Sequence, residues 1–507
     1  MHLTTKTPEH RDSNGVQPLL ISKSRYQAGL QCPKLLWYRF NQQDAIPPVD
    51  AATQARFDQG TEAGSLAKRL FPKGIEIGAG VIKRTTVDEL SRAALPERRP
   101  MFEAGFIAGS AFARADVLVP VDRGQWDPIE VKSSTSVKPE YISDIALQRH
   151  VYAEAGLRIR RCAVMHVNTD YVRRGEIDAR KLLTKTDVTS EVNEAVASVG
   201  GELERMVAII KQKRPPAVDI GPHCEAPHEC PLKDRCWKAV PTHSVFTLTH
   251  AGAKAFDWYQ DGISHLRDIP RDTHLTPAQV IQIRAVHSRR AQVNRDALRE
   301  FLGGLEYPLY FLDFETISPA IPVWDGTRPY QQVPFQFSLH VVSKPGAEPV
   351  HHGFLAEGTA DPRPKILAHL KLLLGSRGSI VAYSATFENN ALRASSDAYP
   401  AFADWWARNE PRVVDLLPPF RSFHYYHPDQ CGHASLKNVL PALTGQGYDE
   451  MEIADGITAS QEFMRITFGN APAAERKRVR AALKEYCALD TEGMVRIVER
   501  LSKLGAG

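Results

Sequence analysis

Two apolar segments that carry three charged side chains constrain the fold of this chain more than any other feature. They lie in the stretch Asp116–Lys132, where Asp116 stands in the first apolar run and Glu130 and Lys132 flank Val131 in the second. We expect two short strands joined by a turn, with a strand over residues 105–120 leading through Asp116. Side chains alternate along a strand, so Glu130 and Lys132 project from one face, which Asp116 also reaches if the strands pair.

Two carboxylates beside one lysine form a compact site for a hard cation. Magnesium prefers oxygen ligands, and phosphodiester hydrolysis uses such a metal. The lysine can orient an attacking water or stabilise developing negative charge. The alternative for this pattern alone is a surface hairpin with a salt bridge, because such spacings arise often by chance.

The residues that follow favour the metal site. Residues 138–156 have the periodicity of a helix that ends at Gly156, and Gln148 and Tyr152 lie four apart on one face of it. A strand is predicted over residues 160–168. Strand, strand, helix and strand carrying D…ExK…QxxxY resemble the RecB-like branch of the PD-(D/E)xK nucleases. The resemblance implies a restriction-endonuclease-like core, Mg²⁺ or Mn²⁺ bound by Asp116 and Glu130, and catalytic roles for Asp116, Glu130, Lys132, Gln148 and Tyr152.

The chain departs from that family upstream of the strands. RecB-like nucleases often carry a histidine after a glycine as an additional metal ligand. Here residues 60–64 contain two glycines and no histidine, within a helix predicted over residues 51–70. Glu62 could replace the histidine, or it could be a solvated helix residue.

A cysteine-rich segment follows the predicted nuclease core. Of the seven cysteines, Cys224, Cys230 and Cys236 are evenly spaced in a loop that contains prolines, which favours a metal site over disulfides in an intracellular chain. A closed site needs a fourth ligand. Cys32, on a helix predicted through residues 24–40, is the natural candidate.

One upstream cysteine and three downstream cysteines resemble the iron–sulfur staple of AddB-type and CRISPR-associated RecB-like nucleases. The resemblance implies a [4Fe–4S] cluster held by Cys32, Cys224, Cys230 and Cys236 that joins the two ends of the domain. The spacing departs from the CxxC of many members, so zinc is the alternative, with His223 or His228 able to replace a thiolate. A metal-free loop is the third alternative.

The C-terminal third contains a second set of acidic residues. Residues 309–316 form an apolar segment with Asp313 and Glu315 two apart, on one face of a strand. Buried carboxylates are costly unless they bind something. Glu388 follows in a strand–loop–helix pattern, and a final helix predicted over residues 473–503 carries Tyr486 and Asp490 four apart.

DxET, a segment with Glu388, VDLL, SLKNVL and YxxxD occur in an order that resembles the tyrosine subtype of the DnaQ-like DEDD exonucleases. The resemblance implies an RNase H-like mixed sheet, two Mg²⁺ or Mn²⁺ ions held by Asp313, Glu315 and Asp490, and Tyr486 positioning the water. That family usually has aspartate where this chain has Glu388, which puts activity in doubt, and Asp415 is the alternative fourth acid. The competing hypothesis is a binding module with a degraded site.

The whole chain is therefore predicted to be α/β and to have several domains. We expect a flexible tail (1–18), a RecB-like nuclease with its cluster (19–240), a helical connector (241–304) that resembles helix-hairpin-helix folds or is a plain linker, and a DnaQ-like exonuclease (305–507). No apolar run is long enough for a membrane span, and no secretory signal is evident. The net charge of +4 is too small to identify a partner, although arginine clusters permit nucleic acid.

The functional expectation is a cytoplasmic nuclease acting on single-stranded DNA, with a helicase as a candidate partner. RNA processing is the alternative, because DEDD acids do not distinguish RNA from DNA. A non-enzymatic nucleic-acid-binding scaffold is the third hypothesis.

Overall fold

The computed structural model describes residues 19–81 and 83–506, so the predicted tail lies outside the described residues. The chain divides into two compact units. The first comprises the residues up to Pro48, Gly60–Asn168 and Ala179–Lys233. The second comprises Val49–Gln59, Thr169–Asp178 and Asp234 onwards.

The strands described in the first unit are β1 (Ile21–Ser22), β2 (Ile75–Glu76), β3 (Met101–Ala108), β4 (Ala111–Val121), β5 (Gln125–Val131), β6 (Arg158–Ile159), β7 (Ala163–Val167) and β8 (Leu183–Asp187). They form one mixed sheet in the order β2-β3-β4-β5-β7-β8, with β1 beside β4 and β6 beside β5. β4 is antiparallel to β3 and β5, whereas β5 and β7 are parallel. β5 therefore lies inside the sheet, flanked by β4 and β7.

The helices before residue 240 are α1 (Lys23–Gln31), α2 (Pro33–Asn41), α3 (Ala51–Lys68), α4 (Arg84–Ala94), α5 (Pro139–Glu154), α6 (Ala179–Leu182), α7 (Thr189–Ile210) and α8 (Lys233–Cys236). α5 packs on β3 and β4 and against α7, and their apolar side chains share one core with the sheet. Burial of that apolar face supplies the main driving force for this layer.

Two local predictions for this unit were wrong. The helix predicted through residues 24–40 is broken at Cys32, which has extended backbone angles and separates α1 from α2. Pro33 explains the break, because a proline disfavours helical angles at the residue before it. The strand predicted over 105–120 is a hairpin of β3 and β4 that turns at Gly109, whose φ of +54° suits glycine.

The strands described in the second unit are β9 (Gln292–Val293), β10 (Leu309–Ile317), β11 (Val333–Val342), β12 (Val350–Leu355), β13 (Ile380–Ala382), β14 (Val413–Asp415) and β15 (Tyr425–Tyr426). A mixed sheet has the order β12-β11-β10-β13-β14, and β15 pairs with β9. β10 is antiparallel to β11 and parallel to β13. β10 is thus the central strand of the larger sheet.

The helices described in this unit are α9 (Lys254–Gln260), α10 (Pro277–Ser288), α11 (Arg295–Gly303), α12 (Arg363–Leu373), α13 (Thr386–Ala398), α14 (Ala403–Asn409), α15 (Pro418–Arg421), α16 (Leu436–Thr444), α17 (Gly456–Phe468) and α18 (Ala473–Ala506). In the predicted connector, residues 261–276 separate α9 from α10, so these two helices do not form a tight hairpin.

The two faces of β10 pack against different helices. Leu309 and Phe311 belong to the core that includes α16, α17 and α18. Tyr310, Leu312 and Phe314 belong to the core formed with α12 and α14. Because side chains alternate along a strand, Asp313 and Glu315 project toward the α18 side. The larger sheet therefore lies between two helical layers, and both units are mixed α/β.

None of the helices in the described part of the chain is long and apolar enough to cross a membrane.

Candidate active sites

Asp116, Glu130 and Lys132 converge in the first unit, and with Lys23 they form the first cluster. Val117 on β4 pairs with Ile129 on β5, so Asp116 lies beside Glu130 across the ladder. The backbone N–H of Val131 donates to Oδ2 of Asp116 at 2.6 Å. Nζ of Lys132 lies 2.9 Å from Oε1 of Glu130. The sheet thus holds both carboxylates and the lysine at one place.

The two carboxylates of the first cluster differ in charge state. Burial opposes ionisation of Glu130, which is 2% exposed, but the ammonium groups of Lys23 and Lys132 outweigh it and lower its pKa to about 2. Burial, followed by the charge of Glu130, raises the pKa of Asp116 to about 7. One carboxylate is therefore firmly ionised, and its neighbour needs additional positive charge to ionise fully near neutral pH.

Sequence reasoning missed two residues at this cluster. Lys23, at the start of α1, donates a hydrogen bond to Oε1 of Glu130. Asp144, on α5, accepts from Nζ of Lys132 at 3.0 Å and from Nε2 of Gln27 at 2.8 Å. Asp144 could have been found, since it lies one helical turn before Gln148. No local pattern indicates Lys23.

Gln148 and Tyr152 have different partners, although they share a face of α5. Nε2 of Gln148 donates to Oε2 of Glu130 at 2.7 Å and to the carbonyl of Arg114 at 3.1 Å. Tyr152 is fully buried, and its hydroxyl donates to the carbonyl of Ala104 at 2.9 Å. Gln148 thus contacts the first cluster directly, whereas Tyr152 anchors α5 to β3. Glu62, the proposed substitute for histidine, is exposed on α3.

The donor atoms of the first cluster suit a divalent ion. Its oxygen donors, the carboxylates of Asp116 and Glu130, suit Mg²⁺ or Mn²⁺. Oε1 of Gln148 is buried without a hydrogen-bond partner among the described residues. An unsatisfied buried carbonyl is costly, and a hydrated ion beside Glu130 would satisfy it. The donor set therefore fits one hard cation.

Asp313, Glu315 and Cys487 converge in the second unit, and with Glu388 and Asp490 they form the second cluster. One ligand atom from each of Asp313, Glu315 and Cys487 lies within 4.8 Å of the other two. Sγ of Cys487 is 3.7 Å from Oδ2 of Asp313. Asp490 is 6% exposed and accepts from the hydroxyl of Tyr448 at 2.6 Å. β10 and α18 thus bring together acids that are far apart in the chain.

Glu388 reaches the second cluster from the first turn of α13. It is 4% exposed, and its Oε2 has no hydrogen-bond partner among the described residues. Its charge raises the pKa of Asp313. Asp415, the alternative fourth acid, accepts from the backbone N–H groups of Ser384 and Leu417, each at 2.9 Å. Asp415 therefore organises the loop before α13, and Glu388 is the acid with a free oxygen.

All four acids of the second cluster resist ionisation. Burial first, and then the charges of the neighbouring acids, raise the pKa of Asp313 well above its usual range. The same causes raise the pKa of Glu315 and of Glu388 to about 8. Burial raises the pKa of Asp490 to about 6, against the opposing effects of Tyr448, Lys437 and Tyr486. The positive charge of Lys437 is therefore too little to compensate the four acids.

Three residues at the second cluster were not identified from the sequence as part of the site: Lys437, Tyr448 and Cys487. Lys437 lowers the pKa values of Glu315 and Asp490, and its Nζ lies 5.4 Å from the ring centre of Tyr486. Lys437 stands in the SLKNVL segment, so its position was visible but its role was not. Tyr448 lies outside every pattern recognised. Cys487 is buried and contacts Asp313.

The second cluster also fits divalent cations. Its carboxyl groups are hard oxygen donors, and Oε2 of Glu388 is a buried oxygen without a hydrogen-bond partner among the described residues. Burial and the neighbouring acids raise the pKa of Cys487 well above its usual range, so Cys487 is a thiol in the metal-free protein. Two cations would relieve the repulsion that raises the carboxylate pKa values.

Three of the four candidate cluster cysteines lie buried in the first unit. Cys32 separates α1 from α2, and backbone N–H groups of Lys34 and Leu35 donate to its sulfur and partly offset the rise in its pKa caused by burial. The N–H of Cys230 donates to the carbonyl of Cys224 at 2.8 Å. Cys236 ends α8 and is partly exposed.

Gln31 ties the cysteine loop to the end of α1. Its Nε2 donates to the carbonyls of His223 and His228, at 2.9 and 2.7 Å. In a tetrahedral zinc site with Zn–S bonds of about 2.3 Å, sulfurs lie about 3.8 Å apart. No set of three cysteine sulfurs within 4.8 Å of one another occurs among the described residues. The buried thiols are therefore spaced more widely than a zinc site requires.

A family model and a solved chain are similar to parts of this protein. A family model described as "Domain of unknown function (DUF2779)" matches residues 310–435, which include β10 from its second residue onwards and Glu388. A solved chain described as "Crystal structure of SSO0001" is similar over 40% of this chain and 81% of its own length, with 13% identity and a TM-score of 0.18. A TM-score this low does not establish a shared fold. No curated protein matches this chain in sequence.

Proposed function

We propose that this chain is a metal-dependent nuclease with two centres, a PD-(D/E)xK centre at the first cluster and a DnaQ-like DEDD exonuclease centre at the second. The strand order and the D…ExK…Q geometry support the first assignment. The central strand β10, flanked by antiparallel β11 and parallel β13, supports an RNase H-like sheet for the second. The substrate we propose is single-stranded DNA.

The observation that carries the proposal is the convergence of four acids on one buried site. Asp313, Glu315, Glu388 and Asp490 come from a strand and two helices, and their pKa values are all raised. A protein that only needed a stable core would gain by replacing them with apolar residues, because buried like charges destabilise the folded state. Divalent cations bound between the acids would account for their presence in a buried site.

At the second cluster, the side chains have separable tasks. Bound divalent ions would supply positive charge to the attacking and leaving oxygens of the phosphodiester. Asp313, Glu315, Glu388 and Asp490 would hold those ions. Tyr448 fixes the carboxylate of Asp490 through its 2.6 Å hydrogen bond. Tyr486, one helical turn before Asp490, would hold the attacking water.

At the first cluster, Asp116 and Glu130 would bind the ion, and Lys132 would orient water or stabilise the developing charge. Lys132 forms ion pairs with both Glu130 and Asp144, so two carboxylates hold its ammonium group in place. Gln148 fixes the second oxygen of Glu130. For the cysteines we propose a [4Fe–4S] cluster, with zinc as the alternative.

End-labelled single strands test the proposal. Protein incubated with Mg²⁺ or Mn²⁺ should release mononucleotides or short products, and a chelator should stop the release. Lys132→Ala should remove one activity and Asp313→Asn the other; matched DNA and RNA oligomers show the substrate preference. Intact strands under all of these conditions would refute the nuclease function, and loss of both activities from either substitution would argue against separate centres.

A further inference from the structure

A basic cleft of about 610 Å³ lies between the C-terminal end of α17 and the beginning of α18. Its lining includes the cationic residues Arg476, Lys477, Arg480 and Lys484, with Glu357 as the acidic residue among them. Ile466 and Thr467 form part of its wall. Positive charge therefore predominates in a concave surface that belongs to the second unit alone.

Most of these cations have no acidic partner. Arg480 donates to the carbonyl of Ala356 at 2.6 Å and lies 3.5 Å from Glu357, so its guanidinium already has partners within the fold. Arg476, Lys477 and Lys484 are exposed, and none forms an ion pair with a carboxylate among the described residues. Like charges placed together repel one another, so the arrangement favours an anionic ligand.

The same two helices connect the cleft with the second cluster. α18 carries Asp490, and Lys484 and Lys477 precede it by distances of about 9 and 20 Å along the helix axis at about 1.5 Å per residue. α17 begins at Gly456, where a Cβ atom would lie 3.4 Å from Oε2 of Glu315, and its last turn lines the cleft. Phosphates in a nucleic-acid strand lie at least about 3.4 Å apart along its axis. Measured along the axis of α18, the cleft therefore lies the length of a few nucleotides from the second cluster.

We propose that this cleft binds the sugar–phosphate backbone of the substrate strand, a few nucleotides from the bond that the second cluster hydrolyses; this rests on the nuclease function proposed above. The four cationic residues extend over about 12 Å of the axis of α18, at about 1.5 Å per residue, which suits a chain of phosphates better than one phosphate. No aromatic residue is among those lining the cleft in the described structure, so bases are not stacked there. Binding is therefore independent of sequence.

Fluorescence anisotropy of labelled oligonucleotides, measured with a chelator to prevent cleavage, tests the cleft. Each lysine that neutralises a phosphate on a single strand contributes about 0.7 to the slope of log K against log salt. Lys477→Gln with Lys484→Gln should reduce that slope by about 1.4 for a 12-mer, with similar losses for DNA and RNA. A trinucleotide is too short to reach from the second cluster across the cleft, so its affinity should change much less.

A matched control has the same change in charge elsewhere in the unit. Lys344, after β11, and Lys365, on α12, are exposed and have no ion-pair partner among the residues described. α12 packs on the opposite face of β10 from α18. Lys344→Gln with Lys365→Gln should leave the slope as in the wild type. An equal loss of slope in this control, or equal losses for the trinucleotide and the 12-mer, would overturn the proposal.

The cleft and the nuclease function can fail separately. Hydrolysis of thymidine 5′-(4-nitrophenyl phosphate) by the wild-type protein with Mn²⁺ tests the second cluster without a long strand. No hydrolysis together with a reduced salt slope in the Lys477/Lys484 variant would refute the nuclease function of the second cluster and support binding of the strand in the cleft. Hydrolysis with an unchanged slope would support the nuclease and refute the cleft.

Discussion

Lys23 donates a hydrogen bond to Oε1 of Glu130, although 107 positions separate the two residues in the sequence. The contact joins the first turn of α1 to β5. Because Glu130 is 2% exposed, its ionised form depends on the ammonium groups beside it. The N-terminal helix is therefore part of the electrostatic environment of the first cluster.

Replacing Lys23 with methionine should destabilise the protein at neutral pH. Glu130 would retain Lys132 but lose one charged partner, at a cost of about 1–3 kcal/mol in the free energy of unfolding. The pKa of Glu130 is lowered to about 2 in the folded protein, so its stabilising contribution is present above its unfolded value of 4.5 and is lost as pH falls toward 2. The deficit should therefore be largest near pH 7 and shrink below about pH 4.5.

Urea denaturation measures this effect as a change in the free energy of unfolding. Lys185→Met, on an exposed position of β8, is the control and should change the free energy of unfolding by less than about 0.5 kcal/mol. If Lys23→Met is no more destabilising than the control, the contact with Glu130 does not contribute to stability.

The metal-free protein should lose stability as pH rises from about 5 to 8. Glu315 and Glu388 have pKa values raised from 4.5 to about 8, so in this window the folded protein binds more protons than the unfolded chain. Stability then falls with rising pH, by up to about 1.4 kcal/mol per pH unit for each group. Asp116, raised to about 7, acts in the same direction.

Denaturation midpoints in a chelator across this pH range check the expectation. Adding Mg²⁺ or Mn²⁺ should flatten the dependence, because bound cations favour the ionised acids. The double substitution Glu315→Gln with Glu388→Gln should weaken the slope even without metal. A stability that rises between pH 5 and 8 in the wild type would show that these acids are already compensated.

Local spacing accounts for much of what the sequence predicted. Asp313 and Glu315 are two apart on a strand, and Tyr486 and Asp490 are four apart on a helix, so each pair follows from the period of its element. These pairs could be placed on one face without knowledge of the tertiary fold. Asp313, Glu315 and Asp490 were named partly for this reason, whereas Glu388 was named from the order of the motifs alone.

Residues that come from distant segments could not be predicted in this way. Tyr448 contacts Asp490 only because the segment before α17 packs beside α18, and Lys23 contacts Glu130 only because β1 and α1 lie next to β4. Such contacts depend on how separate elements pack together, and no regular spacing in the sequence indicates that packing. The break at Cys32, in contrast, was predictable from Pro33 and was overlooked.

Cys32→Ser should abolish binding of the proposed [4Fe–4S] cluster. The sulfur of Cys32 lies at the start of α2, where backbone N–H groups of Leu35 and Lys34 partly offset the rise in its pKa that burial causes. Wild-type protein purified without oxygen should be brown and contain iron, and the variant should be colourless with little iron. Cys431→Ser, which changes a partly exposed thiol in the second unit, is the control. Equimolar zinc in a colourless wild-type protein would contradict the iron–sulfur assignment.

Glu388→Gln should have opposite effects on the stability of the metal-free protein and on its binding of cations. The substitution removes a buried negative charge while keeping the size of the side chain, so the metal-free variant should unfold at a higher temperature than the wild type near pH 8. Because Oε2 of Glu388 is the acidic oxygen left without a partner, stabilisation by Mn²⁺ should shrink in the same variant, and hydrolysis of the nitrophenyl ester should fall by about tenfold or more. Glu485→Gln, on an exposed position of α18, should change none of these values. A variant that is less stable without metal but equally stabilised by Mn²⁺ would mean that Glu388 supports the fold and does not bind the cation.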